Sequence, residues 1–213
     1  MSVKLSKAGK MPCMSWSLQA IDTCPGSKAA DGGLVDACKG CYATTGNYRF
    51  PNVKKPRLSN REDWRRSDWV FDMITSLRSA SFFRWFDSGD VYHVKLAAKI
   101  LEVMKATPDC RHWLPTRMHK FPKFHATFAA MEALPNVAVR YSSDSIRGET
   151  IPGKTTSTIF GDTSELPASA TVCPAYTRNG KCLDCRACWD KNVSVIAYPA
   201  HGVSMLKLIR EAS

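Results

Sequence analysis

Several features are scarce in this chain of 213 residues. No apolar run approaches the roughly 18 residues a membrane-spanning helix needs, so no membrane association is expected. Residues 1–10 hold no apolar stretch of the kind that leads a signal peptide, and a cytoplasmic protein is expected. Internal repeats, low-complexity tracts and dividing linkers are all missing, which predicts a single domain over residues 1–213. Cysteine is too sparse for a small disulfide scaffold, at nine residues or about 4%, and an odd count fits poorly with full pairing. In a reducing compartment, clustered thiols read as metal ligands or reactive groups. Acidic residues are also few. Nineteen Asp and Glu face thirty Lys and Arg, a formal charge of +11, which suits an anionic partner without identifying one. A composition 44% hydrophobic and 23% charged excludes a disordered or fibrous chain.

The middle of the sequence alternates between strand and helix patterns. Ser59 or Asn60 is placed to cap a helix with Glu62 and Asp63 in its first turn. Its apolar face is expected to carry Trp64, Val70, Phe71, Ile74 and Leu77. Strands are predicted at 81–86, 112–114, 137–141, 157–160, 170–172 and 193–198. Helices are predicted at 91–106, with a face of Val94, Ala97, Ala98, Leu101 and Met104, then at 123–134 and 203–210. This alternation predicts an α/β fold with a largely parallel sheet. Too few helices for a full eight-fold ring point to an incomplete or irregular (β/α) TIM-like barrel with Cys-rich loops at both chain ends.

Those loops carry the strongest chemical signal. Cys173-Pro174 is followed by Cys182, Cys185 and Cys188, two consecutive C-x₂-C steps. Bacterial ferredoxins hold iron–sulfur clusters with three close cysteines and a remote Cys-Pro. Here the remote member comes first, and Gly180 supplies a bend. Zinc can use the same four sulfurs, although its sites usually pair two separated knuckles; a [4Fe–4S] cluster is the better match. Cys24, Cys38 and Cys41 form a second, looser set. With Cys13 they make a closed site; without it they leave an open metal position. A cluster shared between the two ends is a third arrangement, and plain packing of Cys13 and Cys24 a fourth. Cys110 reads as a buried strand residue.

In a barrel the reactive face lies at the carboxyl ends of the strands. Strand assignment places Asp87, Ser88, Asp90, Arg117, Ser142, Asp144 and His201 there. Each has a plainer reading beside the catalytic one. Asp87 and Asp90 can cap the helix beginning at Val91, Arg117 with His119 and Lys120 can be a solvated turn rather than a phosphate grip, and a lone His201 is most often just hydrogen-bonded. Residues 49–68 hold seven basic and three acidic side chains, with Tyr48, Phe50, Trp64 and Trp69 in or beside them. That mixture suits DNA or RNA single strands, or else a charged helix whose tryptophans face the core.

The runs Thr23-Cys-Pro-Gly-Ser27, Ala37-Cys-Lys-Gly-Cys-Tyr-Ala43 and Asp87-Ser-Gly-Asp90 resemble a family of phage and mobile-element proteins named after phage gene product eighty-eight. So do Gly180-Lys-Cys-Leu-Asp-Cys-Arg-Ala-Cys-Trp189 and Tyr198-Pro-Ala-His-Gly202. The resemblance covers nearly the whole chain. It implies a phage or integrative-element origin and an iron–sulfur protein, and implies no settled activity. More distantly, the order of Cys38–Tyr42 and Ser88–Asp90 is similar to radical S-adenosylmethionine enzymes. That similarity implies cofactor binding at Ser88, Gly89 and Asp90. Their usual signature separates its first two cysteines by three residues, whereas thirteen separate Cys24 from Cys38, which argues against cofactor cleavage.

Three function classes follow. One is an iron–sulfur protein that handles nucleic acid through a basic surface. Another is a radical-type enzyme with an open cluster iron and catalytic candidates among Asp87, Asp90, Arg117, Asp144 and His201. The third is a structural metalloprotein in which zinc or a cluster staples the chain ends.

Overall fold

Alternation in the run Phe82-Phe-Arg-Trp85 sorts its side chains onto the two faces of one sheet. A computed structural model describes residues 3–7 and 9–212. These build eight strands: β1 (Ser6–Lys7), β2 (Met14–Trp16), β3 (Phe82–Trp85), β4 (Arg111–Thr116), β5 (Val137–Ser142), β6 (Thr156–Phe160), β7 (Ala170–Val172) and β8 (Val195–Pro199). They lie side by side in the order β1-β2-β3-β4-β5-β6-β8-β7. Every pairing is parallel except β1 with β2. No ladder joins the two edges among the described residues, so the sheet is open where a barrel would be closed.

Six α-helices accompany it: α1 (Asp36–Lys39), α2 (Pro51–Asp63), α3 (Trp69–Leu77), α4 (Val94–Ala106), α5 (His125–Glu132) and α6 (Val203–Ala212). One face of the sheet packs against α3, α4 and α5. Phe83 and Trp85 join Trp16, Trp69, Leu96 and Phe128 there in the main core. The tryptophans meet edge to face, Trp16 and Trp69 at 5.3 Å between ring centres, an arrangement that aromatic quadrupoles favour. On the opposite face Phe82 lies against Trp189 at 5.5 Å. Trp113, Trp189, Met11 and Cys13 form a smaller cluster on that side. No described helix is long and apolar enough to cross a membrane.

Two helix expectations shift in detail. Ser59 and Asn60 do not cap a helix; they lie inside α2, which opens at Pro51, where proline's missing N–H costs nothing. Asn60 is instead buried, and its Nδ2 donates to the carbonyls of Lys4 at 3.1 Å and Ser17 at 3.0 Å. The helical run breaks after Asp63, and the carbonyls of Trp64 and Arg66 are taken up by Lys99 Nζ at 3.0 and 2.6 Å. Phe71, expected in the core, is 68% exposed; α3 buries Trp69, Met73 and Leu77 instead, one stripe at i, i+4, i+8. In α4 the stripe is Leu96, Ala97, Ile100, Val103 and Met104, rotated from the expected one, which leaves Val94 and Ala98 outside. After β5 no α-helix intervenes before α6, and short 3₁₀ turns make the connections.

His112 on β4 is fully buried between α4 and the sheet. Trp85 Nε1 donates to its Nδ1 at 3.3 Å, and Nε2 lies 2.9 Å from Thr107 Oγ1. Burial lowers its pKa from 6.5 to about 4. The folded value lies below the unfolded one. Its stabilisation is therefore complete above about pH 6.5 and is lost as the pH falls toward 4, about 3 kcal/mol in all. Urea unfolding of wild type and His112→Gln across this window is expected to show a shallower pH slope in the variant. Equal slopes would show that His112 does not titrate on unfolding.

Candidate functional site

The parallel strands deliver their carboxyl ends to one side of the molecule, and the loops there enclose a cavity of about 820 Å³. Six of the nine cysteines line it: Cys24, Cys38, Cys41, Cys173, Cys182 and Cys188. Both chain ends thus meet at one place. All nine thiols are free.

The tail loop is organised from below by a charge. Arg140 stands in β5 with 0% exposure and has no carboxylate partner among the described residues. Its guanidinium donates to four backbone carbonyls: Cys188 at 3.0 Å, Val193 at 2.8 Å, Ala187 at 2.8 Å and Asp190 at 2.6 Å. A buried guanidinium is costly unless its donors are matched, so this loop and this arginine require each other. Burial pulls the Arg140 pKa below its ordinary value. Trp189 Nε1 adds a bond to the Phe83 carbonyl at 2.8 Å. Cys182 N–H donates to Lys10 at 2.9 Å, and Cys185 N–H to Cys182 at 2.9 Å. Cys173 hangs from β8 through its N–H bond to Ala197 at 2.8 Å. Burial raises the Cys182 thiol and pushes Cys188 up to about 11; the neighbouring Cys173 adds to both, and Cys185 to Cys182.

The amino-terminal thiols sit across the cavity. Cys24 precedes a turn whose Gly26 lies against β4's exit, where a Cβ would come within 2.6 Å of the Arg117 carbonyl. Cys38 lies in α1, held by the Ala37 N–H bond to Asp144 at 2.9 Å. Burial pushes Cys24 up to about 12, with Asp90 adding to the effect, and raises Cys38 and Cys41. Cys13 does not complete this set. It packs with Met11, Trp113 and Trp189 beside Cys182 and Cys188. Cys110 is buried in the core as expected, but in the bend just before β4 rather than in a strand. Among the described residues, no three His, Cys, Asp or Glu side chains are grouped so as to hold a metal ion.

The Asp87–Asp90 segment lines the cavity, but its side chains are engaged. Asp87 forms a buried ion pair with Arg57 at 2.9 Å, and Ser17 and Tyr48 also donate to it. Ser88 Oγ donates to Leu18 at 2.7 Å and accepts from Arg57 Nε at 2.7 Å. Gly89 has φ +76°, and a Cβ there would sit 2.6 Å from Leu18 Cβ, which requires glycine. Asp90 accepts from Thr116 Oγ1, Arg117 N–H and Val91 N–H at 2.7, 2.8 and 2.7 Å; burial nonetheless raises its pKa. The expected helix cap at Asp87 or Asp90 is therefore replaced. α4 starts at Val94, its cap is His93, and Asp90 clips the β3 and β4 exits together.

Arg117 donates to the Ser143 carbonyl at 2.8 Å and lies 3.4 Å from Asp144, which also pairs with Lys120. His119 turns toward Tyr141, 5.3 Å between rings. These residues are thus drawn to Asp144 and Tyr141 rather than gathered around an open phosphate grip. His201 is exposed at the rim, its Nδ1 3.0 Å from the Tyr176 hydroxyl. In the basic segment, Trp64 and Trp69 are in the core, Arg65 pairs with Glu62, and Arg66 with Asp63, Asp68 and Asp72. Arg49, Lys54, Lys55 and Arg61 face outward. Sequence reasoning passed over Arg57, Arg84 and Arg140. The signal for the last two is an arginine inside an otherwise apolar strand.

A family model described as gene product 88 matches residues 2–191. No curated protein and no solved structure matches the chain.

Arg140→Met keeps the volume and removes all the donors, leaving buried carbonyls unsatisfied. It is expected to cost about 3 kcal/mol in urea unfolding and to speed amide exchange across 182–193. Arg140→Lys, with a compact ammonium in place of the fork, should restore only part. An unchanged unfolding midpoint in Arg140→Met would contradict the clamp.

Proposed function

The chain belongs to the gene product 88 family, and from that premise we propose that it is an iron–sulfur protein of a phage or mobile element, working in the cytoplasm of a bacterial host. Cys173, Cys182, Cys185 and Cys188 hold a [4Fe–4S] cluster in this reading. The observation that carries it is the C-x₂-C-x₂-C run held over the sheet by Arg140, with Cys173, Cys182 and Cys188 lining the cavity and Cys185 outside that lining. Burial disfavours the thiolates of Cys182 and Cys188, and a metal core would supply the positive charge that offsets it. In a [4Fe–4S] cluster each cysteine would take a different iron. A single zinc instead needs sulfurs about 2.3 Å from one point. The accompanying fold reading is an incomplete (β/α) barrel, supported by the consecutive order β2 to β6.

Nucleic-acid handling is the second part of the proposal. Its support is the net charge of +11 and the outward set Arg49, Lys54, Lys55 and Arg61 on and before α2. The bases would meet exposed Phe50 rather than the buried tryptophans. A second reading, an open-site cluster of the radical S-adenosylmethionine type, is favoured by one observation. Cys24, Cys38 and Cys41 all line the cavity, with Asp90 beside Cys24. Ser88, Gly89 and Asp90 would then offer backbone more than side chain, since their side-chain groups are engaged.

Anaerobically isolated protein is expected to be brown and to carry at least about four iron and four sulfide per chain, with Cys185→Ala losing most of one cluster. A colourless zinc protein would overturn the cluster, and full occupancy in the variant would overturn the ligand assignment. Binding to single-stranded DNA or RNA is expected to weaken steeply with salt, and Lys54→Glu with Lys55→Glu should lower the log–log slope by about 2. No binding at low salt would remove the nucleic-acid part.

A further inference from the structure

Arg57, Arg84 and Arg117 line the cavity, and Arg140 stands beside it under the tail loop. Arg57 is matched by Asp87, Ser88 and the Val53 carbonyl. Arg140 is matched by its four carbonyls. Arg84 stands in β3. Its strand neighbours Phe83 and Trp85 turn into the helix-covered core, so alternation turns Arg84 to the cavity side.

What Arg84 finds there is poor in acceptors. Its guanidinium lies 4.3 Å from the centre of the Trp113 ring, its partner in the β3–β4 register. Nη1 reaches the Met11 sulfur at 3.5 Å, a weak acceptor. Its Nε is buried and has no partner. No carboxylate pairs with it among the described residues. Nearby Asp87 is already neutralised by Arg57 at 2.9 Å. The Tyr42 hydroxyl, which lies within hydrogen-bonding reach of Arg84, donates to the Asp87 carbonyl at 2.6 Å, and the Tyr48 hydroxyl donates to the Asp87 carboxylate at 3.2 Å. A positive charge with five donors in a fixed fork is therefore held at the cavity wall without an anion.

We propose that Arg84 anchors an anion-binding site in this cavity, which takes the carboxylate or phosphate of a small organic ligand. The volume of about 820 Å³ falls within the range of about 300–1,000 Å³ of small-molecule sites. Tyr42, Tyr48, Tyr176, Tyr198 and Trp113 give the wall an aromatic lining, which suits a ligand with a planar ring. The guanidinium fork matches either oxyanion in a bidentate mode. The competing role is a plain counter-charge for the thiols of Cys182 and Cys188, which Arg84 also influences. The two roles make different predictions for added anions.

The test is calorimetric titration of the as-isolated protein with phenyl phosphate, benzoate and neutral benzyl alcohol. At least one of the two anions is expected to bind more tightly than the alcohol, and the tighter one identifies the oxyanion. Arg84→Gln is expected to weaken the anion at least about tenfold, equivalent to about 1.4 kcal/mol, and to leave the alcohol unchanged. Equal affinity for alcohol and anions, no anion binding, or a variant that binds the anion like wild type would each overturn the site. Should the variant fail to fold, phenylglyoxal mapping of the wild type decides. Arg84 is expected to react more slowly with the anion present, and an unchanged rate would overturn the proposal. Iron and sulfide content reports separately on the cluster, so failure of one reading is distinguishable from failure of the other.

Discussion

The tail loop depends on one buried cation. Arg140 reaches out of β5 and gathers the carbonyls of Ala187, Cys188, Asp190 and Val193 around a single guanidinium. Such a group is costly to desolvate, and only a complete set of acceptors makes it tolerable inside a protein. The same four bonds fix the path of a segment that has no regular secondary structure beyond short turns. They also bring the third thiol of the C-x₂-C-x₂-C run over the sheet and beside Tyr198, whose hydroxyl lies 3.4 Å from Cys188 Sγ. Trp189, packed on Phe82 and Trp113, supplies the apolar weight that keeps the loop down.

This changes how the cysteines are organised. Thiols from residues 24–41 and from residues 173–188 face one cavity, across the carboxyl ends of the strands. That is where open α/β sheets and barrels alike gather their chemistry. The acidic residues of the same rim serve mainly as struts. Asp87 neutralises Arg57, Asp144 holds Lys120 and Arg117, and Asp90 ties two strand exits through three donors. Among the groups left to meet a ligand are sulfur, aromatic rings, backbone and the guanidinium of Arg84.

Periodicity in the sequence carries most of the fold. Residues 137–141 and 157–160 appear as strands because alternating or β-branched residues suit a half-buried pleat. The parallel sheet follows from the strand–helix succession. What periodicity misplaces are fine rotations. Val94 and Ala98 look like part of the α4 face, but Leu96, Ile100 and Val103 take the core side. Asn60 looks like a cap because Glu62 and Asp63 follow it, yet its amide is needed by the carbonyls of Lys4 and Ser17, far away in sequence. The site was legible as a list of cysteines and a Ser-Gly-Asp turn, since spacing encodes loops. Its arginines were not, because Arg84 and Arg140 acquire their meaning only from partners 29 to 73 positions away across the sheet, Trp113 and Met11 for the one and the tail carbonyls for the other.

We propose the tail loop as a cluster ligand set. The most direct measurement is anomalous diffraction, at the iron and zinc edges, from crystals grown without oxygen. Iron density bounded by Cys173, Cys182, Cys185 and Cys188 is expected. Zinc in place of iron at that position, or iron only elsewhere in the chain, would contradict it.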